Sequence, residues 1–484
     1  MSELRRDAAG HAAAGALPDP PLDPRPRPDD ARSARLETGA AEAPAELALC
    51  GHAKLRQDDP LLYRLLAREQ RRQQWTLAMV AASSVADPSV LACEGMTTTN
   101  VTAEGYPGAR LHAGCHVVDA IEELAVERAR SLFGASYANV QPHSGTSANS
   151  ILLCSLLRPG ERLMGLHVAA GGHLTHGASD SLSGRYFEAV PYGVDDRGWL
   201  DYDAILAQAR ECRPRVIFCG ASAYPRVVDF ERFRRIADEV SAYLIADISH
   251  IAGLVAGRQH PSPIDHCHFT TTSSYKQLYG PRGGLILSGR DHAAAAPGGG
   301  TLSEMVQRAV FPCFQSTPNL SSIAAKARAF DLAATPAFRA LAARIVADSR
   351  ELAARLAARG YAVVTGGTDN HLLLVDVRAS RSLGGAQAER ALEACDIVTN
   401  RQSLPHDADG ASGLRFGTNT LAARGMGPSE MATCAELIDR VLTAVRDRAA
   451  TGHDPGDETR AEVRAEVRRL CAAFPLPDYP AQAS

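Results

Sequence analysis

Apolar positions along the chain follow two rhythms, and one long stretch follows neither. From Asp59 the segment DPLLYRLLAREQRRQQWTLAMV sets Leu61, Leu62, Leu65 and Leu66 at helical spacing, which predicts a short helix and the start of ordered protein. Val117, Val118, Ile121, Leu124, Ala125 and Leu132 repeat that spacing over 117–133, and Asp119, Glu122 and Glu123 favour the N-terminal end of the helix they predict. Downstream, short apolar runs (RLMGLHV, AVPYGV, RVIFCGAS, YLIADIS, HCHFTTT, GLILSG) alternate with helical segments such as FERFRRIADEVSA. Strands apolar on both faces and separated by helices predict an α/β layer built on a mostly parallel sheet. Past about residue 330 the helix-rich FRALAARIVADSRELAARLAARG leads into YAVVTGG, NHLLLVDV and DIVTN, which reads as a smaller C-terminal α+β domain.

The stretch without rhythm is 1–56, rich in Ala, Pro, Asp and Arg. It buries too little apolar surface to offset its own ordering entropy and reads as a mobile extension. The expected layout is an extension over 1–56, an N-terminal arm over 57–95, a large domain over 96–330 and a small domain over 331–484.

Composition narrows the partners. The 484 residues carry a formal net charge of −4, are 45% hydrophobic and are 22% charged, so a globular protein with a small-molecule ligand is expected, with no nucleic acid and no membrane as partner. No apolar run is long enough for a bilayer. The 11 cysteines are scattered without a CxxC pair, and no apolar segment precedes a cleavage-like site. Reduced thiols in a cytoplasmic protein and no metal site are the expectations.

One imbalance bears on chemistry. Lys54, Lys276 and Lys326 are the only lysines, and the other 48 of 51 basic residues are arginines. A lysine kept inside such a chain marks a place where arginine cannot serve, and only lysine can lose its proton and form a Schiff base. Lys276 follows a hydroxyl-rich strand end and precedes the glycine-rich GPRGG, in HFTTTSSYKQLYGPRGG.

Four further segments can be placed around it. In QPHSGTSANSILLCSLL, Ser144, Gly145 and Thr146 lie between a predicted strand and an apolar helix, where N–H groups, hydroxyls and the helix dipole converge on a point suited to phosphate. Asp247 ends the apolar run of AYLIADISHIAGLV, at the edge where open α/β sheets bind ligands, and His250 follows it. His173 stands behind a Gly-Gly turn in HVAAGGHLTHG, and Arg415 lies in SGLRFGTN. A phosphate cradle, a stacking imidazole, an acid for a ring nitrogen, a Schiff-base lysine and a carboxylate-gripping arginine together describe a pyridoxal-phosphate pocket.

With those segments in view, EGYPG, ELAVERARSLFGASYANVQPHSGTSAN, GGHLTHG, SAYPRVVDFERFRRIADEVSAYLIADISHIAGLVAG, GPRGGLIL and GGTDNHLLLVDV closely resemble the serine hydroxymethyltransferases, from about residue 59 to 475. The resemblance implies the fold type I, aspartate-aminotransferase-like architecture of pyridoxal-phosphate enzymes, usually a homodimer, with a tetramer also open. By it, Lys276 carries pyridoxal 5'-phosphate as a Schiff base beside Tyr275. Asp247 pairs with the ring nitrogen, His173 stacks on the ring, and Ser144, Gly145 and Thr146 hold the phosphate. Ser222 and His250 take the ring oxygen, Arg415 the substrate carboxylate, and Glu104 is the acid/base near the substrate hydroxyl. The implied chemistry is Cα–Cβ cleavage of a β-hydroxy-α-amino acid, threonine or serine, through a glycine quinonoid.

The departures from the family pattern lie around that core. Thr102, Leu111 and His112 stand where the family has tyrosines, Tyr275 where it has a histidine, VAASS replaces IASEN, FPCFQSTP replaces the glycine-rich FPGGQGGP loop, and Gln402 replaces an asparagine. Thr102 and His112 would face the substrate. Cofactor residues kept while acceptor-side residues change point to an L-threonine transaldolase passing the glycyl unit to another aldehyde, with tetrahydrofolate-dependent serine/glycine hydroxymethyl transfer as the alternative. Use of tetrahydrofolate is left open by the same residues.

Overall fold

The computed structural model describes residues 43–407, 410–448 and 454–480. Of the extension, 1–42 lies outside the described residues, while 43–56, read from sequence as mobile, lies within a helix, Ala43–Asp58. Its alanines and leucines supply helix propensity although no residue on it is buried. The helix predicted from Asp59 spans Pro60–Gln74, and its four leucines are exposed.

The main sheet has seven strands: β1 (Tyr137–Asn139), β2 (Arg162–Leu166), β3 (Glu188–Tyr192), β4 (Val216–Cys219), β5 (Tyr243–Asp247), β6 (Phe269–Ser273) and β7 (Gly284–Ser288). Their spatial order is β1-β7-β6-β5-β4-β2-β3. All neighbours pair in parallel except β7, which runs antiparallel to both β1 and β6. Successive residues alternate between two cores: Ile217, Leu244, Ala246 and Leu285 pack on one face, Val216, Phe218, Ile245 and Ile286 on the other. That is the period-two burial expected of a sheet covered on both sides.

The predicted helix over 117–133 is His116–Phe133, closed by Gly134 in the left-handed region. Glu122 turns inward instead of decorating the helix start, and its carboxylate accepts from Arg110 and Gln141. A second, antiparallel sheet contains β8 (Ala362–Val363), β9 (Leu372–Asp376), β10 (Asn400–Gln402) and β11 (Gly413–Gly417), in the order β8-β9-β11-β10. The helix Leu320–Ala333 runs across 330/331, and Leu77–Ala78 pair in parallel with Ile397–Val398. The architecture is therefore α/β, a seven-stranded mostly parallel sheet with a C-terminal antiparallel one.

Candidate active site

The parallel strands deliver the candidate residues to their carboxyl ends. Asp247 is the last residue of β5 and is buried, and its carboxylate accepts from Asn149 Nδ2 at 2.8 Å, His176 Nε2 at 3.2 Å and the Ser249 N–H at 2.9 Å. Burial alone would raise its pKa, but the His176 hydrogen bond, the neighbouring histidines and the Ser249 N–H hold it well below the carboxylate range. His176 is fixed in turn by stacking on Phe218, ring centroids 4.6 Å apart. His173 caps its turn by accepting from the Thr175 N–H, and burial pushes its pKa down to about 4. A neutral, flat imidazole is thus held beside an ionised acid.

Ser144 caps the helix Gly145–Leu156, its hydroxyl accepting from the Ser147 N–H at 3.0 Å. Gly145 is buried, and a Cβ there would lie 3.2 Å from both Ser249 Oγ and the Ser273 nitrogen. The helix start is thereby pressed against the end of β6, while Thr146 stays exposed. Lys276 follows β6 and is 7% exposed. Burial, with added repulsion from Arg415 and Arg282, lowers its pKa to about 8 against the pull of Asp247. Its Nζ lies 5.9 Å from the Tyr275 ring centroid, and Arg282 covers the same ring at 3.8 Å.

Arg415, on β11, is buried and donates from one terminal nitrogen to the Ser222 carbonyl at 2.5 Å and from Nε to Asn400 at 3.1 Å. Burial lowers its pKa to about 10. His250 stacks on His371, centroids 5.7 Å apart, and burial, reinforced by Lys276 and Arg415, keeps it neutral. Among the described residues, His250 Nδ1 and Ser273 Oγ are buried without partners. A basic lysine, an ionised acid at a strand end, a tight helix N-terminus and two unpaired buried polar atoms fit pyridoxal phosphate, whose aldehyde, ring nitrogen, phosphate and hydroxyl need such groups.

Not every candidate joins this cluster. Glu104 and His112 pair with each other, Oε2 to Nε2 at 3.1 Å, on a partly exposed loop, and Thr102 beside them is exposed. No hydrogen bond or ion pair among the described residues ties them to Lys276 or Asp247 in one chain. Asn149, His176 and Ser249 were not singled out from sequence, although Asn149 sits one helical turn beyond Gly145 and His176 three residues beyond His173. Helical spacing could have found the first. Atoms of His173, His176 and Asp247 lie within 4.8 Å of one another, close enough for a metal, but His176 and Asp247 already satisfy each other. Among the described residues no helix is long and apolar enough to cross a membrane.

Comparison with known proteins converges on the same segments. The family model described as serine hydroxymethyltransferase matches residues 55–438. The chain is 45% identical over 432 residues to a protein of Rhodospirillum centenum named serine hydroxymethyltransferase, covering 88% of this chain and 97% of that one. It is 44% identical over 444 residues to the protein of that name from Synechococcus sp., covering 88% and 98%. With the match running through the lysine, the acid and both sheets, the chain belongs to the serine hydroxymethyltransferase family and is a pyridoxal-phosphate-dependent transferase.

Proposed function

We propose that the protein transfers the hydroxymethyl carbon of L-serine to tetrahydrofolate, leaving glycine. The observation that carries this reading is the convergence of Lys276, Asp247 and Arg415 in one buried cluster, in a chain 45% identical over most of its length to a protein named serine hydroxymethyltransferase. Bound pyridoxal phosphate supplies the electron sink for breaking the Cα–Cβ bond. Asp247 holds a proton at the ring nitrogen, and Asn149 and His176 keep it ionised and aimed. His173 would stack on the ring, Ser144, Gly145 and Thr146 would hold the phosphate, and His250, whose Nδ1 is buried without a partner, would serve the ring hydroxyl. Arg415 keeps its second terminal nitrogen for the substrate carboxylate, while Nε and one N–H of the other terminal nitrogen are used by Asn400 and Ser222. Glu104 exchanges the proton of the substrate hydroxyl. No hydrogen bond or ion pair among the described residues ties Glu104 to Lys276 or Asp247, and this reading takes the enzyme to be a homodimer or tetramer.

The second reading, L-threonine transaldolase activity, rests on one observation. Glu104 is paired with His112, where the family pattern has a tyrosine, so the acceptor side has changed chemistry. The test is to supply L-serine or L-threonine to the cofactor-loaded enzyme with and without tetrahydrofolate and to measure glycine and acetaldehyde. Glycine from serine that rises at least about tenfold with folate is expected for a transfer that needs its acceptor. Acetaldehyde from threonine without folate, and no folate effect on serine, would select the second reading.

A further inference from the structure

Lys326 is the second lysine inside the fold and has no part in the chemistry above. It is 1% exposed, on the helix Leu320–Ala333, and its ammonium donates to the carbonyls of Val140 at 2.6 Å, Pro142 at 3.3 Å and Gly284 at 3.0 Å. Val140 and Pro142 belong to the turn that leaves β1 and enters Ser144. Gly284 opens β7 and donates its N–H to the Pro142 carbonyl at 2.8 Å. One side chain therefore ties a helix, a strand and the approach to the Ser144–Thr146 segment together. Burial lowers its pKa to about 7 against the pull of Glu122, and in the charged form its three protons match three carbonyls, whereas a planar, wider guanidinium does not reproduce that geometry.

The neighbouring glycines allow the close approach of the lysine and of the Ser144 backbone. A Cβ at Gly283 would lie 2.2 Å from Lys326 Cε, and one at Gly284 would lie 2.2 Å from the Ser144 carbonyl oxygen. Beside the ammonium lies a cavity of about 280 Å³ lined by Gln141, Pro142, His143, Arg282, Asn319 and Ser322. Without the lysine, the Val140 and Gly284 carbonyls lose this donor and the Pro142 carbonyl keeps only the Gly284 N–H, beside a cavity into which the turn can relax away from the helix start.

We propose that Lys326 is a positioning residue that clamps the 140–142 turn and so sets the helix N-terminus that receives the cofactor phosphate. The proposal rests on the reading of Ser144, Gly145 and Thr146 as phosphate-binding. It is tested by measuring the affinity of cofactor-stripped protein for pyridoxal phosphate and for pyridoxal, which lacks the phosphate, in the parent, Lys326→Met, Gly283→Ala and Ser144→Ala. Lys326→Met and Gly283→Ala should each cut the preference for the phosphorylated form by about tenfold or more while changing pyridoxal affinity less than about twofold. Gly283→Ala displaces the ammonium without removing it, and decides the matter if Lys326→Met does not fold. A preference kept in both variants but lost in Ser144→Ala makes Lys326 merely structural and overturns the proposal. A preference kept in Ser144→Ala as well overturns the phosphate reading itself.

Discussion

At the scale of single residues, the site works by opposing burial with placed partners. Asp247 and Lys276 are both buried, and burial pushes both towards neutrality. Asp247 resists because His176, Asn149 and Ser249 all donate to it; Lys276 yields because the pull of Asp247 does not offset its burial, with Arg415 and Arg282 adding to the shift. An amine with a pKa of about 8 is largely neutral in mildly alkaline solution, and only the neutral amine attacks an aldehyde. The rate at which stripped protein recombines with pyridoxal phosphate should therefore rise with pH, pass half-maximum near 8 and level off above it. A half-maximum near the ordinary lysine value of 10.5 would show that Lys276 is not desolvated as described. Lys276 was legible in sequence because lysine is so rare here, and Asp247 because it closes an apolar run. The residues that tune them were not: Asn149 and His176 reach Asp247 across 98 and 71 positions of chain. Lys326 was visible as a rare lysine, but its three carbonyl partners come from segments 42 to 186 positions away.

Elements were read with unequal success, for physical reasons. Strands with continuous apolar runs, such as β4 and β5, and helices with strong amphipathic spacing, such as Phe230–Val240, declared themselves. β11 did not, because Gly413–Gly417 carries two glycines and an arginine, and its strand character comes from pairing with β9 and β10. The helix Pro336–Ala358 shows what patterning conceals. Asp348 faces inward there, fully buried, and among the described residues neither carboxylate oxygen has a partner. Burial raises its pKa from 3.8 to about 7, with Arg344 opposing and Glu430 reinforcing. The folded chain then keeps a proton that the unfolded chain releases, so stability should fall as pH rises from about 4 to about 7. Asp348→Asn should flatten that slope and stabilise the protein at pH 8 by about 1–3 kcal/mol, because the amide stays neutral where the buried carboxyl must ionise without a partner. Denaturant melts at pH 5 and pH 8 check it; an unchanged slope in the variant would mean that Asp348 is not the titrating group.

At the scale of the whole molecule, the site draws on both sheets. The main sheet supplies Asp247, Lys276 and the helix start at Ser144, and the antiparallel sheet supplies Arg415. The arm strand Leu77–Ala78 pairs with Ile397–Val398, and Ser84 donates to the Tyr275 carbonyl beside Lys276 at 2.5 Å. The segment that departs from the family pattern at 80–84 is thus packed against the lysine's own backbone, a contact between distant stretches that no local pattern announces. The most direct measurement follows from the chain's three lysines. The cofactor-loaded protein is reduced with borohydride and digested, and the modified lysine is mapped by mass spectrometry. The account predicts a pyridoxyl group on Lys276 alone, one per chain; modification at Lys54 or Lys326, with Lys276 left free, would contradict it.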